Sequence, residues 1–188
     1  MFGLGERRDA ALRRHYEAVW GRPAQPCVMP RNPTSSMPGA FSIVKFAPGS
    51  ADGLWVYATV GMSRLRAGRP IELHMFSQVE SAEIAEVLTV TAHYHMTGAP
   101  LGLHHSVNLG RGWLGNSSCD HALISLPYRD GPRLEIFRAG LKTTRCYWLL
   151  PITEREVDFK KAHGTEALEQ RFEAIDVPFA DPLRESVV

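Results

Sequence analysis

The chain has 188 residues, of which 44% are hydrophobic and 22% are charged, and its formal net charge at pH 7 is +1. These fractions are those of an ordinary soluble globular protein, and the length suits a single domain with a real core. The near balance of 21 basic and 20 acidic side chains argues against nucleic acid and anionic membranes as partners.

The cysteines and the N-terminus indicate the compartment. Cys27, Cys119 and Cys146 are an odd number at long spacings without a C-x-x-C pair, which argues against a disulfide framework and a thiolate zinc site. Charged residues scattered through the first twenty positions exclude the apolar core of a signal peptide, and no segment approaches the length of a membrane span. We therefore expect a cytoplasmic protein.

The N-terminal region divides into a helix and a link. Apolar residues recur at helical spacing over residues 6–20, which predicts an amphipathic helix. Five prolines between residues 22 and 38 exclude regular structure and indicate an extended, ordered link across the domain surface. We assign residues 1–40 to this helix and proline-rich link, and residues 41–188 to the main domain.

The main domain alternates strands with helices. Short turns rich in glycine or proline favour antiparallel pairing of the first three predicted strands, Phe41–Phe46, Leu54–Val60 and Ile71–Ser77. A helix is predicted from Ser81 to Met96, with one buried stripe formed by Ile84, Val87, Leu88, Thr91 and His95. Four further strands are predicted at Leu103–Leu109, His121–Leu126, Arg133–Phe137 and Arg145–Leu150. This order predicts an α+β fold with a mostly antiparallel sheet of about six to seven strands covered by helices.

The C-terminal part is predicted to form a helix pair. We expect the last strand to end at Pro151, because proline cannot donate a hydrogen bond to a sheet. Thr153 and Glu156 have the spacing of a capping box at the start of a helix. Gly164 suits the end of that helix, and Thr165 is predicted to cap a second one.

Five histidines lie between residues 93 and 121 and raise the possibility of a zinc site, since imidazole is a common zinc ligand. Histidines that are two positions apart on a helix point in nearly opposite directions, and adjacent histidines on a strand point to opposite faces of the sheet. No H-x-x-x-H or H-E-x-x-H signature is present. We expect no metal and no other cofactor, and we keep as an alternative a metal-dependent enzyme that uses His95, His105 and His121.

Residues 110–115 match the G-x-G-x-x-G pattern, but the residues that follow do not open the helix that a dinucleotide site requires. Arginine and tryptophan are common anchors in protein interfaces, so the loop is more interesting as a recognition surface. We expect Arg111, Trp113 and Asp120 to form a partner-binding patch. The alternative is that Trp113 folds back onto the sheet as part of the core.

The sequence contains no recognisable catalytic set. A nucleophile motif of the form G-x-S-x-G is missing. Cys119, Asp120 and His121 are adjacent, and adjacent residues do not form a catalytic triad by themselves. Glu154 and Glu156 are explained by their place at the positive end of a helix. We therefore predict that the protein is not an enzyme.

Two segments carry a resemblance to a known family. Residues 148–172 and 184–188 resemble the suppressor of fused domain of bacterial proteins. The shared pattern is Pro-Ile-Thr-x-x-Glu, a charged helix, Gly-x-x-Ala-Leu and a terminal Arg-x-Ser-Val-Val. Residues 54–63, followed by 71–73, are similar to another stretch of that family. The resemblance covers roughly residues 40–188.

This resemblance implies a protein-binding module. The animal protein of the family holds and restrains a transcription factor, and stand-alone bacterial members serve as immunity proteins of polymorphic toxin systems. The chain lacks the second large domain of the animal protein, so the resemblance implies an immunity protein that neutralises a cognate toxin by binding it. A second possibility is a regulatory module that adds a peptide strand to a sheet edge, for which Phe41–Phe46 is the candidate edge.

Overall fold

A computed structural model describes residues 3–27, 37–38, 41–49, 53–66, 68 and 70–188. The helices are α1 (Leu4–Trp20), α2 (Ala82–Thr97), α3 (Pro132–Glu135), α4 (Glu154–His163) and α5 (Thr165–Ala174), with a 3-10 helix at Met62–Arg64. The strands are β1 (Gln25–Pro26), β2 (Ser42–Phe46), β3 (Trp55–Val60), β4 (Ile71–Ser77), β5 (Ser106–Asn108), β6 (His121–Ser125), β7 (Ile136–Ala139) and β8 (Lys142–Ile152). In the described part of the chain, no helix is long and apolar enough to cross a membrane.

The strands form a single open sheet with the order β1-β2-β3-β4-β8-β6-β5, and β7 pairs with the first part of β8. Every neighbouring pair is antiparallel except β4 with β8, where Ile71 lies opposite Arg145 and His74 opposite Trp148. The prediction of an α+β fold with a mostly antiparallel sheet is confirmed. The parallel pair joins the two halves of the sheet.

Both faces of the sheet are covered. Successive residues of a strand point to opposite faces. In β3, Tyr57 packs in the core on the α2 side, whereas Val56 and Ala58 pack in the core that holds Leu12 and Tyr16 of α1. The second core also receives side chains from α4 and α5. The sheet is therefore the middle layer of three.

The predicted helices at the N-terminus and in the middle of the chain are confirmed. Helix α1 ends at Gly21, whose φ of 63° is the left-handed conformation that glycine adopts without strain. Helix α2 begins after Ser81, whose side chain accepts a hydrogen bond from the N–H of Glu83. All five residues of the predicted α2 stripe are buried.

The division of the chain at residue 40 stays a prediction. Helix α1 packs on the sheet, and the Tyr16 hydroxyl donates a hydrogen bond of 3.1 Å to the carbonyl oxygen of Thr59. The middle of the predicted proline-rich link, residues 28–36, lies outside the described residues.

The prediction that the last strand ends at Pro151 is wrong, because β8 continues to Ile152. Pro151 pairs with Ala122 of β6, whereas the pairing with β4 reaches only to Trp148. Beyond Trp148, β6 is the sole partner of β8 among the described strands. Proline, which has no N–H, is tolerated at position 151 because no described strand is hydrogen-bonded to the other side of β8 there.

The predicted strand Arg133–Phe137 is wrong in its first half. Gly131, at a φ of 73°, turns the chain, and Pro132 begins the short helix α3. Proline is well suited to the first turn of a helix because its missing N–H has no partner to lose there. Strand β7 starts only at Ile136.

The two edges of the sheet also differ from the prediction. The strand predicted at Phe41–Phe46 is β2, but β1 pairs outside it, with Pro26 opposite Val44. Strand β2 is therefore second in the sheet. At the opposite edge, β5 is shorter than the predicted Leu103–Leu109, because His104 has a φ of 68° that is typical of a turn.

Candidate protein-binding site

A cleft of about 240 Å³ opens between the sheet and helix α5. We call it the aromatic cleft. Trp148 and Leu150 line it from β8, Phe172 from α5, and Val177 and Phe179 from the segment that follows α5. A polar rim surrounds these groups and consists of Ser125, Tyr128, Arg129, Glu169, Glu173 and Asp176.

The aromatic rings of the cleft hold one another in place. Phe179 packs edge-on against Phe172, with ring centroids 5.3 Å apart, and against Trp148, with centroids 5.0 Å apart. Trp148 makes a further edge-on contact with Phe76 at 5.5 Å. Such T-shaped pairs are favoured by the ring quadrupoles. The cleft is therefore pre-formed by the core beneath it.

Two side chains on the rim are tied together by Glu169. Its Oε1 accepts a hydrogen bond of 3.0 Å from the Ser125 hydroxyl, and its Oε2 accepts one of 3.3 Å from the Tyr128 hydroxyl. Burial and the charges of Glu169 and Glu173 raise the pKa of the Tyr128 phenol. The negative charges of Glu169 and Glu173 therefore act on a hydroxyl group at the rim of the aromatic cleft.

The segment that carries Val177 and Phe179 is anchored further along by a buried ion pair. Arg184 donates two hydrogen bonds to Glu156, at 2.8 Å to Oε1 and 2.7 Å to Oε2, and both side chains are at most 2% exposed. The guanidinium also donates to the carbonyl oxygen of Pro151 at 2.9 Å and lies 5.7 Å from the ring of Phe172. The ion pair therefore supports the cleft from inside.

Glu156 serves the backbone as well. Its Oε2 accepts a hydrogen bond from the N–H of Thr153 at 2.8 Å, and the Thr153 hydroxyl accepts one from the N–H of Glu156 at 3.2 Å. The predicted capping box is confirmed. Oε1 also accepts from the N–H of Val187 at 3.1 Å. The two sequence motifs that carry the family resemblance are thus joined in space.

The second cap differs from the prediction. Gly164, at a φ of 92°, precedes α5, and Thr165 is already the first residue of that helix. No side chain caps α5 at its N-terminus. The expected capping role of Thr165 is therefore wrong.

The three residues predicted to bind a partner lie in different environments. Trp113 is fully buried in the core on the α2 side, which is the alternative that the sequence left open. Arg111 is exposed and pairs with Glu83 and Glu86 of α2, each at 3.0 Å. Asp120 is exposed in part, with Oδ1 2.7 Å from Nδ1 of His121. A role of Arg111 and Asp120 in partner binding stays a prediction.

A close backbone approach explains why Trp113 turns inward. A Cβ atom on Gly112 would lie 2.3 Å from the carbonyl oxygen of Ser117, so only glycine fits at this position. The N–H of Trp113 donates to the carbonyl oxygen of Cys119 at 3.1 Å. The glycine-rich loop therefore folds back on itself and brings the indole into the core.

The five histidines between residues 93 and 121 are not assembled into a site. His95 is buried in α2, where Nδ1 accepts a hydrogen bond from the N–H of Leu101 at 3.0 Å. His104 and His105 are exposed in a turn. Within the described ranges there is no group of three or more His, Cys, Asp or Glu residues that could hold a metal ion.

Comparison with known proteins places the chain. The family model described as suppressor of fused protein (SUFU) matches residues 38–185. The crystal structure of a SUFU homologue from Neisseria gonorrhoeae is 29% identical, with a TM-score of 0.84, and the alignment covers 97% of this chain and 98% of that one. No curated protein matches the chain.

Two other solved structures share the fold. The Sufu–Fu complex gives a TM-score of 0.65 at 14% identity, covering 88% of this chain and 84% of that one. Drosophila Suppressor of Fused gives 0.58 at 12% identity, covering 78% of this chain and 42% of that one. At these identities the likeness concerns the fold alone.

Proposed function

Because this chain belongs to the suppressor of fused family, whose members are protein-interaction modules, we propose that it is a non-enzymatic binding protein that neutralises a cognate bacterial toxin. The observation that carries the proposal is the match with the N. gonorrhoeae homologue over 97% of this chain and 98% of that one. It supports a domain of the type found in this bacterial homologue, with the same fold over nearly its whole length. Neutralisation then requires only a rigid domain that occupies the surface of its target.

The aromatic cleft is the surface best suited to this role. Interfaces are dominated by a few anchor side chains that enter well-packed, desolvated pockets on the partner. The cleft offers such a pocket, and its rings are fixed before binding, so little ordering cost remains. Arg111 and Asp120 are retained as proposed contacts outside the cleft.

A neutralisation assay tests the proposal. The tagged chain is purified from its own cell, the protein that copurifies is identified by mass spectrometry, and its toxicity is measured with increasing amounts of the purified chain. We expect inhibition that is complete at about one chain per toxin. Toxicity that persists in the presence of excess chain would contradict the proposal.

Matched variants locate the surface in the same assay. Phe179→Ala removes a half-buried ring from the cleft, whereas Leu141→Ala changes a fully exposed side chain that does not line it. We expect Phe179→Ala to weaken neutralisation by at least about thirtyfold, which corresponds to about 2 kcal/mol for an interface anchor. Equal neutralisation by both variants would show that the binding surface lies outside the cleft.

An open sheet edge supports a second candidate, a peptide-binding module that acts by strand addition. Strand β5 pairs with β6 on one side only among the described strands. Lys160 of α4 covers part of this edge, donating to the carbonyl oxygen of His104 and the hydroxyl of Ser106, each at 2.6 Å. If a peptide adds to β5, Lys160→Ala should strengthen its binding, because a lysine that blocks an edge is removed. Weaker or unchanged binding would exclude this edge.

A further inference from the structure

We propose that the aromatic cleft receives an arginine side chain, and hence that the protein partner presents a basic segment to it. This inference rests on the proposed function, because it names the chemistry of the partner at the same site. It follows from the size of the cleft, the charge of its rim and the nature of its walls.

The size of the cleft favours a single side chain over a metabolite. Pockets for small molecules and cofactors span about 300–1,000 Å³. The volume here is about 240 Å³. A long, unbranched side chain that enters end-on fits this volume, and its own backbone stays outside the rim. The occupant is therefore best described as an anchor from a polypeptide.

The rim carries more negative than positive charge. Glu169, Glu173 and Asp176 supply three carboxylates, against the one guanidinium of Arg129. No basic side chain in the described ranges forms an ion pair with these carboxylates. Among the described residues, the hydrogen bonds to the Glu169 carboxylate come from the neutral hydroxyls of Ser125 and Tyr128. A cation that enters the cleft thus meets carboxylates for which the described part of the chain provides no competing ion pair.

The walls of the cleft suit a guanidinium. Arginine stacks on aromatic faces and forms paired hydrogen bonds with carboxylates, so it combines the two features present here. The protein already places its own guanidinium groups against this set of rings. Arg184 lies 5.7 Å from the centroid of Phe172, and Arg129 lies 5.4 Å from that of Phe76. Both rings belong to the packed group that includes Trp148 and Phe179.

The other occupants fit less well. An acidic side chain has one favourable contact, Arg129, and is repelled by three carboxylates. An apolar side chain covers Glu169 and gives it no new hydrogen bond, which costs desolvation energy without return. Both occupants give distinct outcomes in the test below.

The test uses small probes and NMR spectroscopy on the full chain. The ¹⁵N-labelled protein is titrated with N-acetyl-arginine methylamide and, separately, with the citrulline analogue, which has nearly the same shape but no charge. The indole N–H of Trp148 reports on the cleft, and that of Trp113, buried in the opposite core, is the internal control. We expect the arginine probe to shift the Trp148 resonance with millimolar affinity and the citrulline probe to bind up to about fivefold more weakly.

Salt and sequence variants sharpen the result. Binding of the arginine probe should weaken as salt rises, since the rim is partly exposed. The double variant Glu169→Gln with Glu173→Gln should lose most of the binding. Glu166→Gln, an exposed position on the same helix that does not line the cleft, should retain it.

Three results would overturn the inference. Equal binding of the arginine and citrulline probes would show an apolar pocket that is indifferent to charge. A response to N-acetyl-aspartate methylamide instead would assign the site to Arg129 and an acidic partner. No shift of Trp148 at probe concentrations of about 50 mM would show that the cleft takes none of them.

The failure of this inference is distinguishable from the failure of the proposed function. If the double glutamine variant neutralises the toxin as well as the unchanged chain and the probes do not bind, the function stands without an arginine anchor. If the arginine probe binds but no toxin is neutralised, the cleft chemistry stands and the toxin proposal fails.

Discussion

Two buried glutamates, Glu72 and Glu156, show two different ways to hold a carboxylate inside this fold. Glu156 faces a cation, because Arg184 donates two short hydrogen bonds to it. Glu72 has no ion-pair partner among the described residues and is surrounded by neutral donors. The Thr59 hydroxyl donates to it at 2.6 Å, and three backbone N–H groups donate at 3.0–3.2 Å, those of Gly61, Met62 and Ser63.

The difference appears in the ionisation of the two sites. Burial raises the pKa of Glu72, and the hydrogen bonds from Thr59 and the backbone offset only part of that effect. For Arg184, burial acts to lower the pKa, but the hydrogen bonds and charge of Glu156 outweigh it and raise the pKa. Glu72 therefore holds the turn at residues 61–63 although burial destabilises its charged carboxylate. Glu156 and Arg184, in contrast, stabilise each other's charge. Removing one group should have unequal effects at the two sites.

The largest effect is expected from Arg184→Met. This change leaves the Glu156 carboxylate buried without its cation, which costs about 3–5 kcal/mol in comparable buried pairs. Urea unfolding followed by fluorescence gives the free energy of unfolding. Arg155→Met, at an exposed neighbouring position, is the control and should cost no more than about 0.5 kcal/mol. A loss of stability below about 1 kcal/mol for Arg184→Met would show that water solvates the Glu156 carboxylate in the variant.

The double variant Glu156→Gln with Arg184→Met should be less damaging than the sum of its single changes. Neither variant side chain is charged, so no uncompensated ion remains in the core. We expect an interaction free energy of about 0.5–3 kcal/mol in a double-mutant cycle measured by urea unfolding. Additive losses would mean that the two side chains stabilise the fold independently, through the capping box and the packing on Phe172.

A smaller effect is expected from Thr153→Ala, which removes the hydrogen bond from the N–H of Glu156 to the Thr153 hydroxyl in the capping box of α4. Loss of such a cap costs about 1 kcal/mol. Thr165→Ala is the matched control, because Thr165 begins α5 without capping it. Equal losses in unfolding experiments would indicate that both threonines stabilise their helices by a route other than capping.

The smallest effect at neutral pH is expected from Glu72→Gln. The amide removes the cost of a buried charge but turns an N–H₂ group toward donors, so the two changes partly cancel to within about 1 kcal/mol. Unfolding curves at neutral pH measure the net result. A loss as large as that of Arg184→Met would show that Glu72 is stabilised as strongly as the ion pair.

The pH dependence at Glu72 separates the two sites further. Its folded-state pKa lies above the ordinary value of 4.5, so the folded chain takes up a proton before the unfolded chain does. This contribution to stability is complete below the ordinary pKa and is lost as pH rises through the folded-state value. Relative to Glu72→Gln, the unchanged chain should therefore gain stability as the pH falls through the raised folded-state pKa toward the ordinary value of 4.5. Parallel stability profiles of the two proteins would contradict the raised pKa.

Local patterns in the sequence predict those features that local chemistry decides. The helices α1 and α2 and the Thr153–Glu156 capping box depend on residues three to seven positions apart, and all three are confirmed. The family resemblance also identifies both ends of the buried ion pair without showing that they meet. The signal for the pair is a basic residue in the terminal Arg-x-Ser-Val-Val motif together with a glutamate at the capping-box position.

Features that join distant parts of the chain were missed for a physical reason. The aromatic cleft draws on residues from 125 to 179, and each of them alone fits an ordinary core or helix pattern. The burial of Trp113 depends on the close approach of Gly112 to Ser117. No sequence pattern predicts this approach. The parallel pairing of β4 with β8 also could not be predicted from the sequence, because hydrophobic periodicity indicates that a segment is a strand but not which strand lies beside it.

That parallel pair has a consequence for the chain during its synthesis. All seven residues of β4 are buried in the finished fold, and β4 ends at Ser77, whereas β8 begins at Lys142, 65 residues later. At about 5–20 residues per second, a ribosome takes roughly 3–13 seconds to make that interval. During this time the side of β4 that faces away from β3 is an unpaired edge of a half-built sheet, and such edges template aggregation. Slow translation between the two strands should therefore increase the dependence of this protein on chaperones.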